Sequence, residues 1–181
     1  MTTTEARTIE NPVNGERVVV RRTASETGGT AFECDFYMRP GGGSPMSHVH
    51  AKQDEHVTVV AGTATCSVGR PERRLRLAVG QSMSLPAGTP HRVFNEAEDE
   101  LHLIIEYRPA LDVEGLLRTL FGLAAAGRTD KHGRPRLADR IVLARDHAVF
   151  AAGPPIALQR AFAALLAPLA RRASRKDREA A

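Results

Sequence analysis

His48 and His50 stand two residues apart, and Glu55 follows five residues later. In a β-strand, residues i and i+2 point to the same face. The two imidazoles therefore aim at one spot. A short turn at Ala51-Lys52-Gln53 can return the chain along the next strand and bring Glu55 back to that spot. Two imidazoles and a carboxylate on one face suit a borderline transition metal.

The elements that must position these residues read as strands. Arg17 to Arg22 is a short apolar-rich run, and Thr30 to Met38 alternates cleanly. Phe32, Cys34, Phe36 and Met38 share one face; Glu33, Asp35 and Tyr37 share the other. Either parity can face inward; the second would make a more polar interior. Further runs are His56 to Ala61, Thr63 to Val68, Arg73 to Val79, Ser82 to Leu85, His91 to Asn95 and Leu101 to Tyr107. In the Arg73 run, Leu75, Leu77 and Val79 are expected inward. Gly and Pro punctuate these runs at near-regular intervals, with no helical period between them. That pattern predicts a mainly β, antiparallel sandwich or barrel.

At Pro109 the period changes. Val113, Leu116, Leu117, Leu120, Phe121 and Ala124 follow helical spacing, with Asp112 as N-cap and Gly127 as stop. A second helix is expected over Leu137 to Ala151, with Ala138, Ile141, Val142, Arg145 and Val149 on its packing stripe. A third runs from Ile156 to about Ala170, with Leu158, Phe162, Leu165, Leu166 and Leu169 as its packing face. The expected organisation is an irregular segment over 1–16, a β-barrel over 17–108, a helical extension over 109–172 and a basic flexible tail over 173–181.

The chain has 181 residues, enough for one domain with an appendage. Only 4% of residues are aromatic and there is no Trp, which disfavours a stacking platform for single-stranded nucleic acid. The formal charge of +4 is concentrated at Arg171, Arg172, Arg175, Lys176 and Arg178. Without that end the chain is near neutral, and no basic recognition helix is evident, so nucleic acid is not an expected partner. Cys34 and Cys66 have no close spacing and point to a reducing cytoplasm rather than a disulfide framework. No signal peptide or spanning segment is read.

Two spaced patterns complete the picture. Gly42, His48, His50, Glu55 and Gly62 form the first; Gly80, Pro86, Gly88, His91 and Asn95 form the second. Both resemble the conserved motifs of the cupin superfamily without a mismatch. Seventeen residues, Thr63 to Val79, separate them, as in small bacterial members. The resemblance implies a double-sheet jelly-roll barrel holding one divalent transition metal through His48, His50, Glu55 and His91. Three imidazoles and a carboxylate favour Fe, Mn, Ni, Cu, Co or Zn over Ca or Mg.

The expected function is that of a metal-dependent small-molecule enzyme, foremost an oxygenase acting on an enolic or phenolic substrate. A cyclase or isomerase of polyketide-like compounds and a non-enzymatic ligand-binding module are the alternatives. Glu55 is a candidate base if it leaves the metal. Phe36, Met38, Gln53, Val57, Met83, Val93 and Leu103 are candidate pocket residues. His56 and His102 are expected to face away from the site. A homodimer is expected, with the helices packed on the barrel or between subunits. The apolar third helix with its basic end can also lie on an anionic membrane, but a membrane is not an expected partner.

Overall fold

The computed structural model describes residues 7–179, with side chains through residue 170. Residues 1–6 of the N-terminal segment, and the side chains of the basic end, lie outside the described residues. The strands are β1 (Thr8–Glu10), β2 (Arg17–Arg22), β3 (Phe32–Met38), β4 (His48–His50), β5 (Asp54–Ala61), β6 (Ala64–Val68), β7 (Arg73–Leu77), β8 (Ser82–Leu85), β9 (His91–Phe94), β10 (Leu101–Arg108) and β11 (Val149–Ala151). The helices are α1 (Val113–Ala125), α2 (Leu137–His147) and α3 (Ile156–Glu179).

One antiparallel sheet has the order β1-β2-β3-β10-β5-β8, the other β11-β4-β9-β6-β7. Together they make a double-sheet jelly roll, closed over an apolar interior. The alternation in β3 resolves as the apolar parity: Phe32, Cys34, Phe36 and Met38 are buried, while Glu33, Asp35 and Tyr37 are half-buried on the outer face. Opposite them, β10 buries Leu101, Leu103, Ile105 and Tyr107 in matching register. Each such aliphatic or aromatic side chain contributes about 1.5–3 kcal/mol by leaving water. The outer face carries polar contacts instead, such as the Arg21–Glu33 ion pair at 2.8 Å and the His102–Asp35 hydrogen bond at 2.8 Å.

Several local expectations change. Residues 8–10, read as irregular, pair with β2 through a strand too short to show a period. Leu75 and Val79, expected inward, are exposed, and only Leu77 is buried. β7 is the edge of its sheet, and the chain has left that sheet by Val79.

The second helix stops at His147, with Ala148 in a left-handed conformation (φ 55°). Val149, Phe150 and Ala151 then form β11. The helical period ran on through Val149 in the sequence, but β4 offers a free strand edge and β-favouring Val149 and Phe150 take it. The stripe proposed for α2 is also displaced: Asp139 and Leu143 are its buried residues, and Arg145 is exposed. Asp139 is buried because it pairs with buried Arg128.

α1 behaves as its spacing implies. Asp112 accepts a hydrogen bond from the Gly115 N–H at 3.2 Å, and Val113, Leu117 and Phe121 join the barrel core. α3 does not. Leu158, Phe162, Leu165 and Leu169 of its supposed packing face are exposed, and Ala163, Ala167 and Ala170 are buried instead. Small side chains allow close approach to α2, and the large ones are left outside. The α3 backbone continues as helix to Glu179, through most of the stretch read as a tail.

Candidate metal centre

β4, β5 and β9 deliver four donors to one point. His48 and His50 share a face of β4; β5 returns Glu55; and β9 pairs with β4 so that His91 lies directly opposite His48. His48 Nε2 and His50 Nε2 are 3.2 Å apart. Glu55 Oε2 is 3.2 Å from His91 Nε2 and 3.3 Å from His50 Nε2. All four donors lie within 4.8 Å of one another. His50, Glu55 and His91 are buried, and His48 is half-buried.

The loops that hold these strands explain the motif residues. The Gly88 N–H donates to the His50 carbonyl at 2.9 Å, tying the turn before His91 to the ligand strand. The Asn95 N–H donates to the Gly42 carbonyl at 2.9 Å, and its side-chain amide donates to Met38 and Asp99 carbonyls. The two motifs are thus stitched together. Gly43 must be glycine: its φ is +122°, and a Cβ there would meet Phe94 Cα at 2.5 Å and the Val93 carbonyl at 2.6 Å. Its N–H donates to buried Glu16 Oε1 at 2.6 Å, an anchor outside both motifs.

The protonation pattern fits a cation. The Nδ1 atoms of His48 and His91 face backbone carbonyls of Met46 (3.3 Å) and Thr89 (2.9 Å). A carbonyl only accepts, so each Nδ1 carries a proton, and each Nε2, aimed into the cluster, is the nitrogen that would ligate a metal. Burial, with His50 and His91 close by, pushes the His48 imidazole down to about 3 and keeps it neutral. Burial alone would raise the Glu55 carboxyl, but hydrogen bonds with His50 and His91 outweigh it and hold the group well below the usual carboxylate range. Burial likewise opposes charge on His91, and the Glu55 carboxylate overcomes it and raises that imidazole. A divalent transition metal bound here would displace the proton between His91 Nε2 and the Glu55 carboxylate and be held by imidazole nitrogens and one carboxylate. The donor set therefore fits such an ion.

Tyr107 belongs to this neighbourhood although its type and spacing drew no notice. It pairs with Glu55 across β10 and β5, and its ring centroid is 5.4 Å from that of His50. Burial and the Glu55 charge push its hydroxyl well above the ordinary tyrosine value. The signal was present: Tyr107 continues the inward parity of Leu103 and Ile105.

Residues 35–107 match the family model described as cupin domain. That stretch of the barrel is a cupin domain. No curated protein sequence matches the chain. Among solved structures, it resembles a cupin-superfamily sugar phosphate isomerase from Silicibacter pomeroyi at 20% identity and a TM-score of 0.45, over 53% of this chain and 60% of that one. It resembles oxalate decarboxylase of Bacillus subtilis at 18% identity and a TM-score of 0.47, over 53% of this chain and 26% of that one. A third is a Klebsiella pneumoniae protein with a double-stranded β-helix, at 19% identity and a TM-score of 0.47, over 61% and 90% of the two chains. This chain thus spans about 60% and about a quarter of the first two proteins' own lengths.

The remaining candidate residues of the cupin domain are dispersed through its interior. Phe36, Met38, Val57, Val93 and Leu103 are buried in the core, and Met83 packs against it half-buried. Gln53 is buried, and its amide donates to the Pro109 and Ala110 carbonyls, both at 2.9 Å. Both amide hydrogens are therefore committed to the junction between β10 and α1. His56 is exposed and bonded to Ser84 at 2.9 Å, and His102 stacks on Tyr37 on the outer face. Cys34 and Cys66 are buried free thiols, and burial pushes Cys66 up to about 11.

Proposed function

We propose that this cupin is a metal-dependent enzyme acting on a small molecule, with oxygenase chemistry on an enolic or phenolic substrate as its reaction class. The observation that carries the reading is the convergence of His48, His50, Glu55 and His91 on one point. When bound, the metal supplies Lewis acidity and, if redox-active, electron transfer. Glu55, held ionised by two histidines, serves as a ligand, and it would act as a base only on release from them.

The surroundings favour a neutral, planar substrate over a phosphorylated one. Val57, Ile105, Leu85 and Tyr107 surround the ligand strands with apolar and aromatic surface. Among the described residues the one buried Lys or Arg side chain is Arg128, which pairs with Asp139 in the helical part.

The test is elemental analysis of purified protein, followed by oxygen uptake with a panel of phenols and enols. One metal per chain, oxygen consumption with a panel member and its loss in His48→Ala are expected. Metal-free protein, or His48→Ala with full activity, overturns the reading. Turnover without oxygen uptake would move the protein to the cyclase or isomerase class.

A further inference from the structure

α3 packs against α2 through its alanines, with Ala163, Ala167 and Ala170 buried. This orientation turns its large apolar side chains to solvent. Leu158 is 63% exposed, Phe162 52%, Leu165 75% and Leu169 60%. Their spacing of four, three and four residues puts them on one face, about 16 Å long at ~1.5 Å per residue. Four large neighbouring apolar side chains left in water mark a docking surface rather than scattered exposure.

The sequence beyond that stripe identifies the occupant. Five of the eight residues 171–178 are Arg or Lys, against one Asp, and the helix runs on through them. Residues 156–170 contain one basic residue, Arg160, and no acidic one. A second copy of α3 therefore offers the basic run only Asp177 and Glu179, which stand among that copy's own five basic residues. An anionic bilayer offers both requirements at once: acyl chains for the Leu and Phe side chains, and headgroup charge for the Arg and Lys residues. No helix among the described residues is long and apolar enough to cross a membrane, so α3 would lie in the interface.

The root of the helix is held firmly. Gln159 accepts a hydrogen bond from the Ala151 N–H and donates to the Ala151 and Pro154 carbonyls. Docking forces on α3 are thereby passed to the barrel through β11. We propose that α3 seats this protein on an anionic lipid surface, with Leu158, Phe162, Leu165 and Leu169 entering the interface and the basic run that follows engaging the headgroups.

Co-sedimentation of the full chain with vesicles tests this. Vesicles of phosphatidylglycerol and phosphatidylcholine in equal parts are compared with phosphatidylcholine alone, and sedimentation velocity without vesicles gives the oligomeric state. The expected result is binding to the anionic vesicles at least tenfold tighter than to neutral ones, weakened by added salt. Phe162→Glu/Leu165→Glu and, separately, Arg171→Glu/Arg172→Glu should each lower it about tenfold, with the circular dichroism spectrum unchanged because the replaced apolar residues are exposed. Equal or absent binding to both vesicles overturns the proposal. Undiminished binding by Phe162→Glu/Leu165→Glu also overturns it, since the basic run would then act alone. A dimer that this variant converts to monomer, with no vesicle binding by the unaltered protein, assigns the face to a second copy.

Discussion

Val149 lies directly opposite His50 in antiparallel register, so the strand that carries two candidate metal ligands is paired on its outer edge by the C-terminal extension. Phe150, between Val149 and Ala151, is buried. The flanking bonds Ala51 N–H to Ala148 and Ala152 N–H to Ser47 extend the pairing at both ends. Helices that resembled an appendage are thus connected to the metal centre. Phe150→Ala removes a buried ring, a change that costs about 3–5 kcal/mol where the site cannot collapse. Metal affinity, measured by competition with a chelator, should fall at least fivefold while the β-sheet spectrum persists. Unchanged affinity would mean that β11 only covers an edge.

Glu55 is the single anionic donor and contacts two of the three imidazoles. Glu55→Gln keeps the shape and removes the charge. Metal content should drop from one per chain to a small fraction by elemental analysis. Adding metal at about 100 times its dissociation constant should stabilise the original protein by about 2.7 kcal/mol. The variant should gain little, and an equal gain in both would place the metal elsewhere.

Glu16 is buried, and burial raises its pKa despite hydrogen bonds involving Asn14 and Gly43. The folded state therefore holds its proton more tightly than the unfolded chain. Its contribution to stability is present below the ordinary value of 4.5 and is lost as pH rises through the raised folded value. Glu16→Gln keeps an oxygen acceptor for the Gly43 N–H and removes the buried charge. It should melt higher than the original protein at pH 7 and nearly equal to it at pH 4. A lower melting temperature at pH 7 would show that the ionised form is the one the fold prefers.

Gln53→Ala would leave the Pro109 and Ala110 carbonyls without their partner, at a cost of about 1–3 kcal/mol. Thermal melting should fall by several degrees while metal content stays at one per chain. A normal melting temperature with altered substrate affinity would instead assign Gln53 to the substrate pocket.

Much of this was legible in the chain because it is local. Period-two alternation in residues 32–38 and 101–107 reports a half-buried strand directly, and the Gly and Pro positions report where each strand must turn. His48 and His50 are two apart in one strand, so their convergence needs only strand geometry. Tyr107 followed the same parity and could have been added by extending it two residues. β1 and β11 are three residues each, too short for a period to distinguish strand from coil or helix end.

The residue types and spacing by themselves determined an antiparallel β sandwich or barrel with helices after it and the convergence of His48, His50 and Glu55, and the cupin resemblance added His91. They could do so because the side-chain period of a strand and the conformation of its turns are properties of a few neighbouring residues. Only the tertiary structure decided which edge β11 would complete, that Gln53 is committed to the start of α1, and which face of α3 packs. Each of those depends on the surface another element presents. A stripe of leucines at helical spacing reads the same whether it meets a core or solvent, and here α2 selected the alanines and left Leu158, Phe162, Leu165 and Leu169 outside.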